Sequence, residues 1–129
     1  MAFLSGGDTQ RMRVLLALVV LALAGCGVPH GLPKQAEEVA SVAAEGSLLA
    51  HDAAEGDTTD TFTREHAKAL RKRLRELEPA IEDSELAQLA AKVDEVLGVL
   101  ADRPGDRDLA GTFERVLESH AHAAEEVAG

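Results

Sequence analysis

The sequence predicts an all-α protein, a small antiparallel bundle of three to four helices behind an apolar N-terminal segment. Three observations predict it. From residue 35 onward, apolar side chains recur at spacings of three and four, the period of one helix face. The apolar mass is Ala, Leu and Val, and aromatics are 2%, a poor supply for strands and a good one for close-packed helices. The breaks between periodic stretches are short, and short connections make consecutive helices antiparallel. With 129 residues, 28% charged and 46% hydrophobic, the chain is sized for one globular domain.

The first helix is expected over Gln35–Glu55, with Val39, Val42, Ala43, Leu49 and Ala53 on one side. It is Ala-rich and contains Gly46, so it is expected to be the weakest, docking loosely or only on a partner. Gly56–Asp60 makes a turn. In the second helix Thr63 is the expected cap and Phe62 the expected staple, followed by Ala67, Leu70, Leu74 and Leu77. Pro79 lacks an N–H for the helical ladder and ends the segment. Asp83 or Ser84 opens the third helix, with Leu86, Leu89, Val93, Val96 and Leu100 inward. Arg103-Pro104-Gly105-Asp106 is a loop with a cap at its end. The fourth helix carries Leu109, Phe113, Val116, His120, Ala123 and Val127 on its expected apolar stripe.

The N-terminal segment has a different character. Arg11 and Arg13 precede an uninterrupted apolar run, Val14 to Ala24, and then come Gly25 and Cys26. Eleven helical residues span about 16 Å, well short of a ~30 Å hydrocarbon core. Such a run suits the core of a signal peptide rather than a permanent membrane span. Met12 is an alternative initiator that leaves the same mature chain. Leu23-Ala24-Gly25-Cys26 resembles the lipobox of bacterial lipoproteins. The resemblance covers only the first 26 positions and implies an address rather than an activity. It implies that Leu23, Ala24 and Gly25 are recognised by a dedicated signal peptidase and that residues 1–25 are removed. It also implies that the Cys26 thiol carries diacylglycerol, with palmitate-type chains. Residues 26–34 then form a lipidated tether, broken by two Pro and two Gly, and residues 35–129 the helical domain. Gly27 rather than Asp follows the cysteine, which by resemblance to known sorting patterns permits passage to an outer membrane. The expected location is thus the outer face of the cell membrane, or the outer membrane. A lone cysteine also excludes an internal disulfide.

Charge narrows the partners. The net charge is −10, and the chain is a poor nucleic-acid binder. Without residues 1–25, which hold Asp8, Arg11 and Arg13, 22 acidic residues face 11 basic ones. The second helix concentrates the bases. Arg64, Lys68, Arg71 and Arg75 fall on one stripe, a candidate surface for anionic lipid head groups or an acidic envelope protein. The blander and favoured reading is that they answer the acidic first helix and its turn, where Glu37, Glu38, Glu45, Asp52, Glu55, Asp57 and Asp60 appear with no base among them.

No catalytic motif is present: no Gly-x-Ser-x-Gly, phosphate loop, dinucleotide fingerprint or His-Glu-x-x-His. The histidines do not make a ligand set. His120 and His122 lie about 200° apart on a helix, and His120 falls on the apolar stripe. Glu118 with His122, His51 with Glu55, and His51 with His66 across the first turn are the nearest candidate pairs. No metal, cofactor or catalysis is expected. The sequence points to a membrane-anchored, extracytoplasmic binding or scaffolding module, with a metal- or small-ligand-binding envelope lipoprotein as the alternative.

Overall fold

The computed structural model describes residues 28–129. They form four α-helices: α1 (Leu32–Glu55), α2 (Asp60–Leu77), α3 (Ser84–Asp102) and α4 (Arg107–Ala128). A 3-10 turn over Glu78–Ala80 follows α2, and no strand occurs among the described residues. Each helix packs on its neighbours in sequence, and α1 closes the square by packing most extensively on α4. All neighbours are antiparallel. The even helix number returns the end of α4 to the start of α1, where Glu37 and Ser41 share a hollow with Glu125 and Ala128.

The helix ends have local causes. α1 begins at Leu32, three residues before the expected start, with Pro33 in its first turn. Pro is tolerated there because the first N–H groups of a helix have no intrahelical acceptor. It ends at Gly56, whose φ of 74° is left-handed, while the Asp57 N–H donates to the Asp52 carbonyl at 2.8 Å. The expected cap of α2 is corrected. Thr59, not Thr63, sits before the helix, and its hydroxyl accepts from the Phe62 N–H at 3.1 Å. Thr63 is one turn in and buried, its hydroxyl donating to the Thr59 carbonyl. Phe62 is 54% exposed and is no staple; it stands edge-on to His66. Asp106 caps α4 by accepting from the Leu109 N–H.

The core corrects three further expectations. α1 is not loosely docked. It is the longest helix, and its buried residues occupy two adjoining stripes, from Gln35 and Ala36 to Ala50 and Ala53. Alanine and Gly46 are the reason, because small side chains let α4 approach closely. A Cβ on Gly46 would stand 3.0 Å from Leu97 Cδ2 and 3.2 Å from Leu117 Cδ1. On α4 the buried line is Ala110, Leu117, Ala121 and Ala124, one residue round from the expected stripe. Leu109, Phe113, Val116, His120, Ala123 and Val127, most of them bulkier than alanine, are only partly buried along its flank. On α3, Leu97 is fully buried where Val96 was expected to face inward.

Candidate functional site

The segment Leu23-Ala24-Gly25-Cys26 and the apolar run before it lie outside the described residues. Among the described residues no helix is long and apolar enough to cross a membrane. Two surface regions of the bundle carry chemistry.

The first is an open groove of about 500 Å³ between α1 and α4. Ala44 and Ala121 contribute small side chains to it, and Leu48 lines it while 67% exposed. Leu48 is the most exposed of the large apolar side chains among the described residues, ahead of Phe62 and Leu32. The polar lining is His51, Glu114, Glu118, His122 and Glu125. The seam under the groove is tied at Glu114. The Ser47 hydroxyl donates to its backbone carbonyl at 3.0 Å, and His51 Nδ1 lies 3.0 Å from its carboxylate. The hydrogen bond with Glu114, then its negative charge, raises the His51 pKa above the ordinary value, with Glu55 and Asp52 adding to the effect.

The expected histidine pairs resolve differently. His51 turns to Glu114 across the helix seam rather than to Glu55 or His66, and His66 meets Phe62. Glu118 and His122 do line one groove, while His122 also approaches Glu125 at 3.6 Å. His120 is half-buried, and burial, with the nearby Lys92 charge, lowers its pKa. Among the described residues no group of three or more His, Cys, Asp or Glu converges as a metal site would require.

The second region is the basic face of α2. Its stripe answers α3, not α1. The Arg71 guanidinium lies across Gly98, where a Cβ would meet it at 3.0 Å, and donates to both Asp94 oxygens at 3.1 and 3.4 Å. Arg75 reaches the same carboxylate at 3.6 Å. Arg64 donates to the Ala101 carbonyl in the last turn of α3. Among the described residues Lys68 meets only Glu65, one turn back, at 3.7 Å. Two acids of α1, Glu38 and Glu45, are met by Arg73, which is off the stripe and donates to them at 2.8–3.0 Å. Burial works against the Arg73 charge, but the hydrogen bonds and charges of the two glutamates outweigh it and raise its pKa. The physical reason is rotation: Arg73 lies about 200° round the helix from Arg71 and so faces the other neighbour.

Sequence reasoning missed Gln35, Leu48 and Glu114. Gln35 carried a signal, since it continues the spacing of Val39, Val42, Gly46 and Leu49 as the one polar side chain on a core line. Glu114 carried none, because nothing in a single sequence pairs residues 47 and 51 with 114. No protein family, no curated protein and no solved structure matches the chain.

Proposed function

We propose that this chain is the precursor of a bacterial lipoprotein whose mature, all-α domain serves as a non-catalytic binding or scaffolding module of the cell envelope. The observation that carries the reading is the Leu23-Ala24-Gly25-Cys26 tetrapeptide directly after an apolar run of signal-peptide length. The composition supports it: the only cysteine of the chain stands where the lipid would go. A diacylglycerol thioether brings two chains, and two chains hold a protein stably where one gives marginal, reversible binding. The mature domain begins its first helix within a few residues of that anchor.

The groove between α1 and α4 is the proposed binding surface of the module. Its apolar spot at Leu48, within a largely acidic rim, suits a partner that offers an apolar side chain beside basic ones. The α2 stripe is a weaker candidate for an anionic partner, because Arg71 and Arg75 are already engaged by Asp94.

Mass spectrometry of protein from host membranes tests the anchor. The expected product starts at Cys26 and carries acyl chains. A soluble chain with a free thiol at that position overturns the reading. A photo-crosslinker at Leu48 in intact cells tests the surface. One recurrent envelope-protein adduct is expected, and Leu48→Asp elsewhere unlabelled should release that partner in a pull-down.

A further inference from the structure

The side-chain amide of Gln35 makes two hydrogen bonds that the helix itself does not require. Its Nε2 donates to the Pro29 carbonyl and to the Ala80 carbonyl, each at 3.1 Å. The residue is 6% exposed and its two acceptor residues are half-buried, so both bonds are partly shielded from competing water. One acceptor belongs to the segment before α1 and the other to the corner between α2 and α3. The Gln35 backbone N–H also donates to Gly31, and Val28 packs against the core. Residues 28–31, the irregular stretch ahead of α1, are therefore strapped over one end of the bundle.

A strap of this kind turns an attachment point into an orientation. Cys26 precedes Pro29 by three residues, and three extended residues reach no more than about 10 Å. A free eight-residue tether would instead wander over about 16 Å and leave the bundle's attitude open. We infer that the mature domain stands end-on on the bilayer, its contact surface being residues 28–31, residues 78–83 and the last turn of α4, with residues 28–31 held there by Gln35. The inference rests on the lipid-anchor reading. The lipid surface that fits this end is zwitterionic. Glu78, Glu82, Asp83, Glu125 and Glu126 outnumber Lys34 there, so carboxylates meet head-group ammonium groups and would be repelled by a strongly anionic surface. The far end, with the turns at Gly56–Thr59 and Arg103–Asp106, stands away from the membrane by the length of α1, about 36 Å for 24 residues.

The test uses the acylated protein from host membranes, reconstituted in phosphatidylcholine vesicles that carry a nitroxide on the lipid head group. Because acylation occupies the Cys26 thiol, a fluorophore can be placed uniquely through Glu82→Cys or Thr58→Cys. The label at 82 is expected to be strongly quenched and the label at 58 left bright. Gln35→Met keeps the side chain's size but removes the donor, and it should erase the contrast while circular dichroism stays helical. Should that variant not fold, eight Gly-Ser residues inserted after Gly27 lengthen the tether without touching the strap's contacts and should erase it equally. Equal quenching at both positions in acylated, vesicle-bound wild type overturns the orientation. Protein that lacks acyl chains and stays off the vesicles overturns the anchor reading instead.

Discussion

Single residues decide much of this fold, and the glycines show how far their sequence context can mislead. Gly46 and Gly111 are both interior to helices, where glycine costs about 1 kcal/mol against alanine. Their surroundings differ. A Cβ at 46 presses on Leu97 and Leu117, whereas at 111 it meets only Ala54 Cβ at 4.0 Å. Gly111→Ala is therefore expected to stabilise by roughly 0.5–1 kcal/mol. Gly46→Val is expected to destabilise by about 2 kcal/mol through overpacking. Urea midpoints at equal slope check both. The threonines make the same point. Thr63 was the expected cap because it precedes the apolar period; Thr59 is the actual one because the helix starts a turn earlier, at Asp60. Thr59→Ala is expected to cost ~1 kcal/mol, read from the same unfolding curves.

At the scale of elements, the helices were legible in the spacing of Leu and Val, and their faces less so. α2 was placed well because Leu70, Leu74 and Leu77 are large and the rest of the helix is strongly polar. α4 was turned by one residue because its buried line is mostly alanine, which sequence patterns weigh less than the Leu, Phe and Val beside it. The basic stripe was assigned to the wrong neighbour for a related reason: net charges of helices say who attracts whom, while rotation says who can touch. The Arg71–Asp94 pair, with side chains 27% and 19% exposed, crosses between α2 and α3. A double-mutant cycle with Arg71→Ala and Asp94→Ala is expected to give a coupling of about 1 kcal/mol, weakened by salt. The histidines at the seams should titrate apart. His51 binds its proton more tightly when folded, so its contribution is full below the unfolded value of about 6.5 and fades as pH rises through the higher folded value. His120 behaves oppositely. Its lowered pKa means that acidification below about 6.5 favours the unfolded chain, which takes the proton more readily. NMR titration should find His51 above His120, and Glu114→Gln should bring His51 down while leaving His120 in place.

For the whole molecule, an all-α bundle with antiparallel neighbours was within reach of the sequence, because short breaks at Gly56–Asp60, Pro79 and Arg103–Asp106 leave few other ways to stack periodic helices. The standing of α1 within it was not. Propensity ranks its glycine and alanines by what they do in an isolated helix, and tertiary packing uses them for how little room they take. Hydrogen exchange gives the direct measure. The slowest amides are expected in α1 between Val39 and Ala50, not in the more leucine-rich α2, and rapid exchange throughout α1 would contradict this packing. The groove and the strap were hidden for one shared reason: each joins residues far apart in the chain, 47 with 114 and 35 with 80.

The notch at Gly46 has one more consequence. Rows of alanine hold two helices close but present a nearly smooth track, so they do little to say how far one helix has slid past the other. Leu117, seated opposite the missing side chain, is the tooth that fixes this setting, and the two ties to Glu114, one turn away, act as its latch. Blocking the notch would thus do more than crowd the interior: it would leave α4 free to choose among neighbouring registers, one helical turn of about 5.4 Å apart.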